Sequence, residues 1–179
     1  MNYFSNLDFQ IFLSLNNLAG HNAVFDWLAV FVARDLIFIL VPVLLIYYLI
    51  KINKPNSKKA IVSGAAAGLF SRYVIVQFIH SIYYRLRPFE AHKVTQLFAK
   101  SSEASFPSGH TAALLGIGMA LYYFDRKIGI TVMVIGLLVG LARIICGIHY
   151  PSDVLAGVLV GIFSGLFINF IFNKYKIIK

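Results

Sequence analysis

The amino-acid sequence predicts an all-α fold, an integral membrane bundle of five transmembrane helices preceded by a short interfacial amphipathic helix. Of the 179 residues, 59% are hydrophobic and only 13% are charged, and the mean hydropathy is +0.78. A soluble domain carries about twice that share of charge. No linker rich in Ser, Pro or Gly divides the chain, so we expect residues 1–179 to form one membrane-embedded domain.

Five apolar stretches approach the length of about 20 residues that a helix needs to span a bilayer. They are residues 27–50, 60–83, 108–124, 129–147 and 151–172, of which the third is short. Residues 4–18 come first and are too short and polar to span. Their apolar positions include Phe9, Ile11, Phe12 and Leu15. We expect this segment to lie on the membrane interface.

The basic residues predict the orientation of the bundle in the membrane. With five spans, nine of them fall on one side: Lys51, Lys54, Lys58, Lys59, Arg126, Lys127, Lys174, Lys176 and Lys179. Cytoplasmic loops carry an excess of Lys and Arg, so this side and the C-terminus are predicted to be cytoplasmic. The N-terminus and the connections 84–107 and 148–150 then face outward.

The net charge of +9 is explained by the same excess of Lys and Arg on the cytoplasmic side. Nucleic-acid binding would need clustered basic residues with exposed aromatics, which the sequence lacks.

Small residues recur four positions apart in several of the apolar stretches. The glycines concerned are Gly64, Gly68, Gly136, Gly140, Gly157, Gly161 and Gly165. This spacing lets helix backbones approach closely in lipid. It favours packing of the five helices against one another, and a homodimer face is the alternative.

Three polar segments interrupt the apolar background, and all fall at the predicted outer face. They are Arg85-Leu-Arg87-Pro88, Ser105-Phe-Pro107-Ser108-Gly109-His110, and Arg143 with His149 and Asp153. We expect the three segments to converge on one site.

The segment ending in His110 is predicted to open a helix. The start of a helix offers free N–H groups and a positive dipole end, which suit a phosphate. Gly109 lets the backbone approach a ligand closely, Ser108 adds a hydroxyl donor, and His110 would lie beside the bound anion. An ordinary helix cap is the structural alternative.

The remaining polar residues fit phosphate chemistry as well. Arg87 and Arg143 offer planar donor pairs that match phosphate oxygens, although each alone could be an interfacial anchor. Asp153 is close enough in sequence to accept a hydrogen bond from His149, which would fix the tautomer and make the other ring nitrogen a better nucleophile. The alternatives are that Asp153 only caps its helix, or that His149 and Asp153 share a metal. A metal site would need more carboxylates than the loops provide, with Glu90 and Glu103 the only candidates, so we expect no metal.

These motifs resemble the signature of the type 2 phosphatidic acid phosphatase superfamily, which is Lys-x6-Arg-Pro, Pro-Ser-Gly-His and Arg-x5-His-x3-Asp. The last two are complete here, as residues 107–110 and 143–153. The phrases Arg-Pro-Phe-Glu-Ala-His and Ala-Ser-Phe-Pro-Ser-Gly-His look like those of bacterial undecaprenyl-diphosphatases of the bacitracin-resistance type. His80 stands where the family has its lysine. A histidine there can still donate to phosphate, and Arg85 is expected to supply the missing charge.

The resemblance implies a two-step hydrolysis without a cofactor. His149 would attack the terminal phosphorus and form a phosphohistidine, while His110 protonates the leaving oxygen. Water activated by His110 would then release phosphate. The groups expected to stabilise the phosphate oxygens are Arg87, Arg143, Ser108 and the Gly109 N–H.

Two further features have competing interpretations. Charges inside the predicted spans are usually paired, so we expect an ion pair between Asp35 and Arg72. The alternative is that Arg72 or Arg34 contacts a second phosphate or lines a channel for the lipid tail. Residues 89–104 mix apolar side chains with lysines, and they form either an amphipathic lid or a connection lying on the headgroups.

The sequence thus predicts a lipid phosphatase acting on an isoprenoid or glycerophospholipid phosphate among membrane lipids. An undecaprenyl-diphosphatase is the first hypothesis, and a phosphatidylglycerophosphate or phosphatidate phosphatase with the same site is the second. A non-catalytic lipid binder or transporter is a third, but the internal repeats and broken helices typical of transporters are not evident in the sequence.

Overall fold

The computed structural model describes residues 3–54, 56–100 and 102–175, so Lys176 and Lys179 lie outside the described residues. Within these ranges all regular secondary structure is helical, as predicted. The helices are α1 (Tyr3–Asn16), α2 (Ala23–Ile50), α3 (Ser57–Ile82), α4 (Pro88–Ala91), α5 (Gly109–Tyr122), α6 (Arg126–Ile145) and α7 (Pro151–Lys174).

In the described part of the chain, four helices are long and apolar enough to cross a bilayer, namely α2, α3, α6 and α7. Large apolar side chains cover their outer surfaces; Phe38 and Leu159, for example, are each 70% exposed. So much apolar surface is unusual in a soluble monomer and is expected where lipid replaces water.

The predicted third span is a shorter helix, α5, of 14 residues. At about 1.5 Å per residue it extends about 21 Å, less than a hydrocarbon core of about 30 Å. It packs against α3, α6 and α7, and most of its residues are buried. Protein therefore surrounds α5, whereas the other long helices each leave apolar side chains exposed on their outer surfaces.

The spaced glycines serve helix packing, as predicted. A Cβ atom at Gly161 would lie 2.5 Å from Cβ of Leu115 and 2.6 Å from the carbonyl oxygen of Ala112, so α7 could not approach α5 this closely with a larger residue. A Cβ at Gly136 would lie 2.6 Å from Leu115 on the side of α6. The homodimer face stays a prediction.

Both α2 and α3 contain a wider, π-helical stretch, at Phe31–Asp35 and Phe70–Ile75. Such stretches are rare and occur often at functional sites. The predicted pair of Asp35 with Arg72 is wrong. Asp35 accepts from the adjacent Arg34 at 2.8 Å, while Arg72, in the second π-helical stretch, packs against the first residue of α5. Arg34 and Arg72, one in each π-helical stretch, therefore contact different neighbours and do not share Asp35.

The N-terminal helix and the long connection are both fixed to the helix ends around them. Phe12 of α1 is fully buried, with its ring centroid 5.6 Å from that of Tyr150. The Asn16 side chain donates to the carbonyls of Thr95 and Ile145, at 2.7 and 2.9 Å. Three apolar residues of the connection pack on the core between α2 and α6, namely Phe89, Leu97 and Phe98. These three residues of the connection are therefore packed on the core, and the two roles expected for the segment, an amphipathic lid or a connection lying on the headgroups, stay predictions.

Candidate active site

The three polar segments meet at one end of the bundle. The guanidinium of Arg87 reaches the carbonyl of Ile148 at 3.0 Å, which joins the first segment to the third. The N–H of Ser108 donates to the backbone carbonyl of Asp153 at 2.9 Å, which joins the second segment to the third. Residues far apart in the sequence thus form one buried polar cluster, as the sequence predicts.

His149 and Asp153 form the centre of this cluster. His149 lies in the turn between α6 and α7, and Asp153 in the first turn of α7. The Nδ1 atom of His149 is 3.5 Å from Oδ2 of Asp153, and both side chains are almost completely buried. The same Oδ2 accepts from the Ser105 hydroxyl at 2.5 Å and from the Tyr150 N–H at 2.8 Å. Asp153 therefore caps its helix and faces His149 at the same time, so the two expected roles are combined.

The protonation state of His149 follows from its surroundings. Burial lowers the pKa of His149 to about 3, because the charged imidazolium loses its hydration; the hydrogen bond to Asp153 acts against this shift. The ring is therefore neutral at physiological pH. With Nδ1 directed to a carboxylate, the proton belongs on Nδ1 and the lone pair on Nε2.

Arg87 lies on the other side of the imidazole. Its Nη1 is 3.4 Å from Nε2 of His149. The guanidinium is held by backbone carbonyls, with Nε donating to Glu103 at 3.0 Å and Nη2 to Ala104 at 3.3 Å. Burial lowers the pKa of Arg87 below its usual value, but an arginine stays charged in such a site. A fixed positive charge thus adjoins the free ring nitrogen.

Arg143 enters the cluster from the last turn of α6. Its Nη1 donates to the carbonyl of Ala33 at 2.8 Å, within the π-helical stretch of α2. Its Nε is buried and has no hydrogen-bond partner among the described residues. A buried donor left unpaired costs free energy, so this atom is suited to an anionic oxygen.

The motif residues at the start of α5 adjoin the same cluster. The hydroxyl of Ser108 pairs with that of Thr111 at 3.0 Å, and Gly109 is the first residue of the helix. His110 and Gly109 line a cavity of about 570 Å³ that reaches between α2 and α3. His110 is half-buried, whereas Ser108 is fully buried.

His80 and Arg85 were also expected to bind phosphate. The Nε2 atom of His80 lies 3.3 Å from the carbonyl of Pro107, so His80 adjoins the second motif. Arg85 donates to Asp153 at 2.6 Å and to Asp8 at 2.7 Å. With its terminal nitrogens on two carboxylates, Arg85 is placed to position Asp153, and its contact with phosphate stays a prediction that this geometry does not support.

Sequence reasoning assigned no role to two residues of the cluster, Asp8 and Ser105. Asp8 of α1 accepts from the N–H of Ser152 at 2.9 Å and from Arg85, although 144 residues separate Asp8 from Ser152. Ser105 holds Asp153. Ser105 could have been found from its place beside the second motif, whereas nothing in the local sequence around Asp8 points to the site.

No group of three or more His, Cys, Asp or Glu side chains is placed to share a metal ion in the part of the chain that the structure describes.

A membrane helical bundle with two histidines, a carboxylate and buried arginines at one end defines a class of enzyme, the membrane phosphatases. The model of the PAP2 superfamily matches residues 61–176, and the chain belongs to this family. It is therefore a membrane hydrolase of the lipid phosphatase class.

Individual relatives agree with this assignment. The chain is 37% identical to undecaprenyl-diphosphatase BcrC of Bacillus subtilis (strain 168), over 92% of this chain and 84% of the relative. The crystal structure of Aquifex aeolicus LpxE superposes with a TM-score of 0.74 at 25% identity, covering 90% of this chain and 94% of the other. A PAP2-type phosphatidylglycerolphosphate phosphatase from Bacillus subtilis superposes with a TM-score of 0.70 at 20% identity, covering 97% and 88%, and this likeness shows the fold alone.

Proposed function

We propose that this chain is an undecaprenyl-diphosphatase, which hydrolyses undecaprenyl diphosphate to undecaprenyl phosphate and phosphate. The observation that carries the chemistry is the placement of His149, with Asp153 at one ring nitrogen and Arg87 at the other. The choice of lipid is supported by the relative of that name at 37% identity over 92% of this chain. Recycling of the carrier lipid of peptidoglycan synthesis, and with it bacitracin resistance, is the corresponding cellular role.

In the first step, Nε2 of His149 attacks the terminal phosphorus. The new N–P bond replaces the bond from phosphorus to the bridging oxygen, whose electron pair leaves with undecaprenyl phosphate. His110 gives a proton to that oxygen. Arg87 and Arg143 stabilise the equatorial oxygens, because guanidinium groups fixed before the reaction need no reorganisation as charge shifts.

In the second step, water attacks the phosphohistidine. His110, now neutral, takes a proton from that water, the N–P bond breaks, and inorganic phosphate leaves. Asp153 keeps His149 in the reactive tautomer throughout the cycle. General acid and base assistance of this kind contributes about 10²- to 10⁴-fold to a rate.

The whole chain acts in this proposal as one domain with five membrane spans, α5 being the third. Side chains of the connection after α2 line a common pocket with Phe124 and Asp125 of the connection after α5. The basic residues of these two connections support a cytoplasmic location for the end of the bundle at which they meet. The N-terminus and the active site are then extracytoplasmic, and α1 lies at the interface.

The proposal is tested by phosphate release from purified protein in detergent with EDTA present. The substrates are undecaprenyl diphosphate, phosphatidylglycerophosphate and phosphatidate, and His149→Ala is the control. We expect a strong preference for the diphosphate, lost in the variant.

Preference for a glycerophospholipid would keep the mechanism and overturn the proposed substrate. Full activity of His149→Ala would overturn the catalytic assignment itself.

A further inference from the structure

Arg72 is a positive charge in the membrane-embedded part of the molecule that the mechanism above does not use. It lies in the π-helical stretch of α3, and its side chain packs against Gly109, the first residue of α5. A Cβ atom at Gly109 would lie 2.7 Å from both Cδ and Nε of Arg72. The guanidinium is thus held against the backbone of the Pro-Ser-Gly-His motif.

This guanidinium has no anionic partner in the described part of the chain. Its Nη1 is buried without a hydrogen-bond partner, and the salt bridges between described residues do not include Arg72. The Cζ atom of Arg72 lies 5.6 Å from the centroid of the Tyr73 ring. A charge at membrane depth is costly without a counter-charge and is usually functional, and an anionic group of the substrate would supply that counter-charge.

The surroundings of Arg72 indicate which part of the substrate this is. Arg72, Gly109 and His110 form the polar end of the cavity of about 570 Å³, and the rest of the lining is apolar apart from Tyr73. The apolar lining comprises Ile37, Phe38, Val41, Leu69, Ala113 and Ile117. A cavity with a cationic end and an apolar body between membrane helices matches a phosphate attached to a hydrocarbon chain.

We infer that Arg72 binds the phosphate that stays with the lipid, and that this contact makes the enzyme prefer diphosphates to monophosphates. The inference rests on the proposed function. His110 protonates the leaving oxygen in that mechanism, and Arg72 shares its cavity with His110. When the bond from the terminal phosphorus to the bridging oxygen breaks, negative charge develops on the leaving phosphate. Arg72 stabilises this charge.

The contact would also explain how the site functions without the lysine of the first motif. His80 replaces that lysine and adjoins the carbonyl of Pro107. Arg72 lies eight residues earlier on the same helix and supplies a permanent positive charge. A monophosphate ester has no second phosphate for Arg72 to bind, so the contribution is specific to diphosphates.

The test compares farnesyl diphosphate with farnesyl phosphate, because their tails are identical and only the second phosphate differs. Arg72→Gln removes the charge and keeps much of the volume. The matched control is Arg126→Gln. Arg126 also lies beside a tyrosine, 5.5 Å from the Tyr122 ring, but begins the 20-residue helix α6 at the end away from the site.

We expect kcat/KM of Arg72→Gln for the diphosphate to fall about 100-fold, the usual effect of losing one preorganised donor to developing charge. The kcat/KM of Arg72→Gln for farnesyl phosphate should stay within about threefold of wild type, because this substrate has no second phosphate whose contact with Arg72 could be lost. Arg126→Gln should match wild type on both substrates. Equal losses on the two substrates, or no loss on the diphosphate, would overturn the inference.

Arg72→Lys covers the case in which Arg72→Gln does not fold. Lysine keeps the charge but not the planar donor pair. The kcat/KM of Arg72→Lys should therefore fall about tenfold, and again only for the diphosphate. An unchanged substrate ratio in a folded Arg72→Lys protein would overturn the inference. If wild type hydrolyses only monophosphates, the proposed function fails first; if wild type prefers the diphosphate and both variants keep that preference, only the role of Arg72 fails.

Discussion

His149 and Asp153 face each other across the start of α7, with Nδ1 and Oδ2 3.5 Å apart. His149 lies two residues before α7 and Asp153 lies in the first turn of that helix, so the carboxylate comes to face the imidazole. Asp153 also accepts from Ser105, Arg85 and the Tyr150 N–H. The orientation of the nucleophile is therefore set by a carboxylate that is itself held from three sides.

Asp153→Asn should lower kcat by about 10²- to 10⁴-fold. The amide is similar in shape but can present its NH₂ group to Nδ1, which would favour the unreactive tautomer. Phosphate release under saturating substrate measures the effect. Asp125→Asn is the control, because Asp125 caps α6 by accepting from the Ile128 N–H at 3.1 Å and asparagine caps equally well. Wild-type kcat in Asp153→Asn would contradict the orienting role.

Asp8→Asn and Arg85→Gln should each destabilise the folded protein by about 1–3 kcal/mol, because each leaves a charged partner in a half-buried position. The double variant should lose less than the sum of the two, since the residues share one network. Thermal unfolding in detergent measures all three proteins. Strictly additive losses would mean that the contact between Asp8 and Arg85 contributes nothing to the stability of the folded protein.

Acidification should destabilise the protein in part through His149. Burial lowers the pKa of His149 to about 3 in the folded state, against about 6.5 in an unfolded chain. Below pH 6.5 the unfolded state thus binds a proton that the folded state does not, and stability falls as the pH drops toward 3. The loss from this residue amounts to about 2 kcal/mol at pH 5.

The variant His149→Gln should accordingly lose less stability than wild type between pH 7.5 and pH 5. Melting temperatures at the two pH values provide the comparison, and His21→Gln, at an exposed position, serves as the control. If wild type and His149→Gln lose stability in parallel, His149 does not titrate as described.

Gly161→Ala should destabilise the bundle by about 1–3 kcal/mol through overpacking. The added methyl would lie 2.5 Å from Cβ of Leu115, so α7 and α5 must separate. Activity should fall as well, because these helices carry Asp153 and His110. Leu159→Ala, on the exposed side of α7, should have little effect. The melting temperature and kcat of both variants test this expectation, and unchanged values for Gly161→Ala would contradict the packing.

The sequence allowed the helices and the convergence of the motifs to be predicted, because apolar length and polar interruptions are local signals. The Asp35–Arg72 pair was predicted wrongly for a physical reason. The depth of a residue along a helix can be read from residue spacing. The direction in which its side chain points around the helix cannot, because a π-helical stretch changes the angle between successive residues. The role of Asp8 was not predictable either, since its contact with Ser152 spans 144 residues.

That long-range contact has a consequence for how the enzyme matures. A chain is synthesised from its N-terminus, so α1 emerges well before its partners at the start of α7. Until then the carboxylate of Asp8 lacks the Ser152 N–H to which it is bonded in the folded protein. The catalytic centre is thus completed only when α7 is in place, and a ribosome-bound nascent chain that stops before α7 will be inactive.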